Sequence, residues 1–304
     1  MSSTPSSAAH AGRCLVFGAS GYIGSHLVPR LLAGGIPLRA SSRNRASLER
    51  RGWDDAELVA ADALAPESLD AVLAGIDTAY YLVHSMGAGK DFGRLDLEAA
   101  ANFAAAAERA GVKRIVYLGG LVPDDADSEH IVSRRDTGDA LRRGKVAVTE
   151  LRAGIIVGPG SAAFEVIRDL VNHLPFMITP KWVRRRSTPI ALENVLTYTI
   201  AAADLPFEGH RTLEIGGPDV LTYQEIMDIY GEFVGKKPIV LPVPVLTPKL
   251  SSYWLYFVTS VPPTTAMSLV EGLAHDYVAE DHEMRELVPQ RLLTFRESIA
   301  ATLE

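Results

Sequence analysis

The stretch Leu15-Val16-Phe17-Gly18-Ala19-Ser20-Gly21-Tyr22-Ile23-Gly24 carries the clearest chemistry in the chain: an apolar run breaks into regularly spaced glycines and continues into a helix-like pattern. Each glycine has its own use. Gly18 permits a tight turn off a buried strand, Gly21 lets the backbone approach a pyrophosphate, and Gly24 lets the next helix pack on the sheet. The helix start then presents free N–H groups to the phosphates. Gly18, Ser20, Gly21, Tyr22, Ile23 and Gly24 are therefore the expected pyrophosphate cradle of a dinucleotide, although plain strand-turn-helix units can show the same glycines.

The end of the next apolar run chooses the dinucleotide. An Asp or Glu there would hydrogen-bond the adenine ribose, whereas a 2′-phosphate is repelled by a carboxylate and wants a cation. The chain reads Arg39-Ala40-Ser41-Ser42-Arg43-Asn44-Arg45, with no acid. Ser42 and Arg43 are expected to hold a 2′-phosphate, which makes NADPH the expected cofactor, with Arg45 in reserve; solvated loop charges are the plainer reading. Asp62-Ala63 is placed to meet the adenine edge, or else Asp62 is a helix N-cap.

Those motifs need a sheet behind them, and the composition can supply one. The chain has 304 residues, 47% of them hydrophobic, enough for one large or two closely joined domains. Short apolar runs alternate with helix-like ones in the first half, the pattern of a parallel sheet covered on both faces. Strands are expected at Arg13–Phe17, Pro37–Ser41, Glu57–Ala60, Thr78–Val83, Arg114–Leu118 and Ala147–Ala153. The alanine-rich run Leu95–Ala110 reads as a helix closed by Gly111. Later helices are expected near Phe164–Asn172, Leu192–Ala203, Tyr223–Val234 and Leu250–Thr259, and late strands near Ser187–Ile190 and Arg211–Ile215. The expected architecture is α/β: a doubly wound parallel sheet over 13–160, with a smaller, mostly helical substrate region over 161–304 that contributes late strands to the same sheet, and a disordered tail at 1–12.

The formal net charge of −7 argues against nucleic acid as a partner, and Arg184-Arg185-Arg186 reads as a solvated turn. The single cysteine, Cys14, lies in the first apolar run and reads as a packed strand residue. Tyr253–Val261 is too short to span a bilayer. The expectation is a cytoplasmic protein without membrane or metal partners; the sequence fixes no oligomeric state.

Several segments together resemble the atypical, extended short-chain dehydrogenases/reductases of the NmrA-like type: Gly18 to Gly24, Ala61-Asp62-Ala63, Tyr81-Leu82-Val83-His84-Ser85-Met86, Tyr117-Leu118-Gly119-Gly120-Leu121 and Leu151 to Gly158. The resemblance implies that Val83, His84, Ser85 and Gly119 flank the ribose and nicotinamide and that Ile156, Val157 and Pro159 cover the ring. It also implies a Tyr with a Lys four residues on as the proton donor, and no such pair exists here. In that segment His130 stands at the Tyr place and Arg134 at the Lys place, and no Tyr lies between Tyr117 and Tyr198. Arg134 is expected to hold the nicotinamide ribose instead of Lys.

Three readings follow. His130 replaces Tyr as general acid, with Ser85 and Arg134 beside it, against the plainer reading of a surface histidine. Alternatively, the substrate supplies its own acid through a phenol hydrogen-bonded to the ketone, and the protein contributes positioning. In the third there is no turnover, and the chain is an NADP(H)-sensing regulator or binding protein. The aromatic and apolar run Ser251–Tyr256, with Val258, Val261, Pro262, Pro263, Met267 and Leu269, suits a broad hydrophobic cavity as well as ordinary core. An Ala- and Arg-rich, Lys-poor composition suits a high-GC bacterium, and the missing pair resembles certain angucycline polyketide ketoreductases. The expected function is thus an NADPH-dependent ketoreductase acting on a hydrophobic, polycyclic aromatic substrate.

Overall fold

The structure is a computed structural model, and it describes residues 12–84, 91–123, 128–179, 181–242, 259–262, 265, 269 and 275–303. The expected tail, Ser85, and most of the run from Ser251 to Met267 lie outside the described residues.

Strand β1 (Cys14–Phe17) alternates its side chains between two cores. Cys14 and Val16 face one, Leu15 and Phe17 the other, as the period of two requires. Helix α1 (Tyr22–Ala33) follows, then β2 (Leu38–Ser42), α2 (Arg45–Glu49), β3 (Glu57–Ala60), α3 (Leu69–Leu73), β4 (Thr78–Tyr81), α4 (Phe92–Ala110), β5 (Arg114–Gly120), α5 (Glu129–Arg142) and β6 (Ala147–Ala153). With β11 (Arg211–Ile215), which pairs parallel to β6, these strands form one seven-stranded sheet in the order β11-β6-β5-β4-β1-β2-β3. The chain winds outward through β2 and β3, then crosses back to β4. The carboxyl ends of β1 and β4 therefore diverge, which opens a crevice there.

Helices α1 and α7 (Leu192–Ala201) cover one face through Leu27, Val28, Leu31, Val195 and Leu196; α3, α4 and α5 cover the other through Leu73, Ala100, Phe103, Ala107 and Leu141. Helix α4 ends at Gly111, whose φ of +73° is the left-handed turn glycine supplies. Cys14 is buried in this core, which pushes its thiol up to about 12.

The second half builds a smaller core beside the carboxyl edge of the sheet. It packs α6 (Ala162–His173), α8 (Tyr223–Val234) and the helix Phe295–Leu303 around Phe164, Ile226, Tyr230 and Ile299. Helix α8 starts with a capping box between Thr222 and Glu225. The expected strand Ser187–Ile190 is instead two short ones, Arg186–Ser187 and Ile190–Ala191, paired with Leu221–Thr222 and Ile156–Val157 outside the main sheet. The intervening Pro189 has no N–H to continue a ladder. Among the described residues no helix is long and apolar enough to cross a membrane.

Candidate functional site

The first glycine turn is built as a backbone cradle. Gly18 has φ +93°, and a Cβ on it would lie 2.9 Å from the Leu82 carbonyl oxygen. A Cβ on Gly24 would lie 2.6 Å from the Gly18 oxygen and 2.7 Å from Ala19 Cα, so α1 lies too close to the turn for any side chain there. Gly21 is the N-cap of α1, supplies no side-chain cap, and is followed by no acid in the first turn. The helix N–H groups are left for a ligand, and the dipole favours an anion. Outside the cradle runs a groove of about 180 Å³ lined by Gly18, Ser20, Gly21, Ser42, Arg43 and Asp62, among others.

The groove's far end is formed by β2 and the turn after β3. Arg43 is exposed on its wall and makes no hydrogen bond or ion pair among the described residues. Arg45 is paired with Glu49 on the surface of α2. Ser42 is buried, and its hydroxyl donates to the Asn44 carbonyl at 2.8 Å, shaping the loop that carries Arg43. The Asp62 carboxylate accepts the Leu64 N–H at 3.0 Å, and Asn102 donates to the Ala63 carbonyl at 2.9 Å. Asp62 thus caps its own turn while also lining the groove.

Gly21, Leu82, Val83 and His84 belong both to this groove and to a second cavity of about 470 Å³. That cavity lies between the carboxyl edge of the sheet and the second half, with His84, Gly119, Gly120, His130 and Arg134 on one side and Trp182, Tyr223, Met227 and Tyr277 on the other. Its lining is mostly apolar, as in sites for drug-sized ligands. Four buried polar atoms on residues lining it have no hydrogen-bond partner among the described residues: Tyr22 Oη, Arg134 Nε, Trp182 Nε1 and Ser187 Oγ. An unmet buried polar atom costs about 1–3 kcal/mol.

The histidines form a chain at the cavity wall. His84 Nδ1 is 2.6 Å from Asp96 Oδ2, His84 Nε2 is 3.2 Å from His130 Nδ1, and the Ser133 hydroxyl donates to Asp96 at 3.1 Å. Burial lowers the pKa of His84, and burial together with the Arg134 charge pushes His130 down to about 3. His130 is half-buried on α5, which its N-cap Ser128 starts by accepting from Ile131 N–H. Arg134, one turn on, donates to the Leu118 carbonyl at 2.5 Å and lies 6.0 Å from the Tyr117 ring. Gly120 leaves room for it: a Cβ there would be 3.3 Å from Arg134 Nε.

Of the residues expected from sequence, Gly18, Ser20, Gly21, Ser42, Arg43, Asp62, Ala63, Val83 and His84 come together along the groove, and Tyr22, Ile23, Gly24, Gly119, His130, Arg134 and Ile156 along the cavity. Two do not join them. Val157 is buried in the core beneath α6, and Pro159 is exposed on the following turn. Ser85 lies outside the described residues. Sequence reasoning missed Asp96, Trp182 and Ser187. Asp96 carried a weak signal, a carboxylate one residue into the helix read at Leu95–Ala110. Among the described residues no group of three or more His, Cys, Asp and Glu side chains is arranged to hold a metal.

Residues 18–154 match the model of a family described as NAD(P)H-binding, in agreement with the glycine cradle and the switch-point groove. A (4-alkanoyl-5-oxo-2,5-dihydrofuran-3-yl)methyl phosphate reductase of Streptomyces griseus is 28% identical over 222 residues, 69% of this chain and 70% of that one. A mitochondrial protein of Arabidopsis thaliana, NADH dehydrogenase [ubiquinone] 1 alpha subcomplex subunit 9, is 22% identical over 91% of this chain and 74% of its own. Among solved structures, the triphenylmethane reductase of Citrobacter sp. complexed with NADP(H) superposes with a TM-score of 0.75 at 22% identity, over 95% of this chain and 99% of the other. That likeness is one of fold.

Proposed function

We propose that the chain is an NADPH-dependent reductase that delivers hydride to the ketone of a large, mainly apolar aromatic substrate, of the polycyclic polyketide type. The observation that carries this reading is the junction of the two spaces: the groove beside the glycine cradle shares Gly21, Leu82, Val83 and His84 as wall with an apolar cavity of about 470 Å³. A protein that only senses the dinucleotide has no use for that second space. When bound, the dihydronicotinamide supplies a hydride. The chain's own residues do the rest. The cradle fixes the pyrophosphate, Arg43 supports a 2′-phosphate, and Arg134 and Gly119 shape the wall where groove and cavity meet.

Trp182, Tyr223 and Tyr277 offer the aromatic surface. The reductase names among the relatives support the same class. The absent Tyr leaves two sources for the proton at the oxygen: a phenol on the substrate or the histidines of the cavity wall.

Loss of dihydronicotinamide absorbance is the test, measured over a panel of ketones from small aliphatic to polycyclic aromatic, the latter with the neighbouring phenol free or methylated. Turnover of the polycyclic ketones, faster with NADPH than with NADH, is expected. Tight NADPH binding with no turnover of any ketone contradicts the reading and leaves the sensor.

A further inference from the structure

Granting the reductase reading above, on which this depends, we propose that Asp96, His84 and His130 form a proton-transfer chain ending at the substrate oxygen, with His130 the catalytic residue and Asp96 and His84 the positioning residues behind it. The three groups come from three elements. Asp96 is on α4, His84 just beyond β4, and His130 on α5, and they meet only because the sheet's carboxyl edge gathers those elements.

The hydrogen bonds set the tautomers. We take Asp96 as the carboxylate, which only accepts, so His84 donates from Nδ1 to Asp96. Its Nε2 then carries a lone pair and accepts the Nδ1–H of His130. The remaining nitrogen, His130 Nε2, is the chain's free end, on a residue that lines the cavity. Asp96 is 1% exposed and takes a second hydrogen bond, from Ser133, so the inner end is fixed. This is the logic by which a buried carboxylate orients an imidazole and stabilises its charged form, extended by one ring.

Among the described residues, the charged and titratable groups facing the chain are Arg134 on α5, Tyr81 on β4 and Tyr117 on β5. Both phenols are pushed above their ordinary range by burial and stay neutral. Arg134 and burial disfavour charge on either imidazole. At neutral pH the chain therefore rests as one carboxylate followed by two neutral rings, with His130 Nε2 unprotonated.

Reduction of a ketone adds hydride at carbon and leaves an oxyanion that needs one proton. A loaded chain carries that proton on His130 Nε2. The N–H bond breaks, its electron pair stays on nitrogen, the O–H bond forms, and the chain returns to its resting state for reloading from water. Alcohol oxidation runs the same step backwards.

The sign of the pH dependence follows. Because the loading pKa lies below neutrality, the loaded fraction, and with it the reductive kcat/KM, grows about tenfold for each pH unit of acidification above that pKa. A substrate phenol as sole acid gives no such slope while it stays protonated.

The test uses the full chain labelled with ¹⁵N-histidine and free of cofactor, together with pH profiles of reduction. Nitrogen shifts at neutral pH are expected to show Nδ1–H and unprotonated Nε2 for both His84 and His130, with Asp96→Asn moving the titration of both rings together. Asp96→Asn and His130→Gln are expected to lower reductive kcat by about 10²–10⁴-fold with KM little changed, and to flatten the slope. Ser133→Ala, a milder change at the same carboxylate, gives a smaller loss of the same kind should Asp96→Asn not fold. Rings that titrate independently, or a His130→Gln variant with undiminished rate and slope, overturn the chain. If the wild-type chain reduces no ketone, the reductase reading fails, and the nitrogen titration alone decides whether the three groups are coupled.

Discussion

Arg43 lies on the wall of the groove beside the glycine cradle, where β2 ends without a carboxylate, and has no hydrogen bond or ion pair among the described residues. A charge-assisted contact from such a side chain is worth roughly 1.5–3 kcal/mol, or about tenfold to a hundredfold in affinity. Arg43→Ala is therefore expected to weaken NADPH by that factor and to leave NADH nearly untouched, as read by titration calorimetry; equal weakening of both would place the 2′-phosphate elsewhere. At this scale the sequence was informative where the backbone itself needs a residue type at a turn, as with Gly18 and Gly24, where a Cβ would meet backbone atoms. Its signal for Asp96 was weak. In Arg94-Leu95-Asp96-Leu97-Glu98 an acid looks like one of the polar positions of an amphipathic helix, and its burial arises only when α5 closes over it.

Elements with strong periodicity were legible almost to the residue. Glu57–Ala60, Ala147–Ala153, Arg211–Ile215 and Tyr223–Val234 are found with the bounds expected. Helix α5 was not seen, although the candidate His130 and Arg134 lie on it, because the face it buries includes Ser133, Thr137 and Gly138 and shows no apolar stripe. The reason lies in the sheet: a Cβ on Gly138 would come within 2.6 Å of Glu150 Oε2, a buried carboxylate held by Arg142 and Arg152. A helix laid on a buried charge wants small and polar residues. The cradle yields a paired prediction at the same scale. A Cβ on Gly21 has only the Gly18 oxygen near it, at 3.2 Å, whereas one on Gly24 meets backbone at 2.6 Å. Gly21→Val is expected to keep the fold by circular dichroism and melting while losing nucleotide binding; Gly24→Val is expected to lose stability itself. A Gly21→Val variant that binds NADPH normally would show that the phosphates lie elsewhere.

Over the whole molecule, the second half contributes β11 to the first half's sheet and also walls the cavity with Trp182 before that strand and Tyr223, Met227 and Tyr277 after it. Their role could not be read in sequence, because an aromatic that lines a cavity and one that fills a core follow the same spacing. Groove and cavity meet in the shared wall residues Val83 and His84. The most direct measurement is a single turnover with NADPH carrying deuterium at the transferable C4 position and a polycyclic aromatic ketone, followed by mass spectrometry of the product. One deuterium on the new carbinol carbon, with stoichiometric loss of label from the cofactor, is the expected result. Unlabelled ketone recovered beside intact, tightly bound NADPH would contradict hydride transfer across that junction.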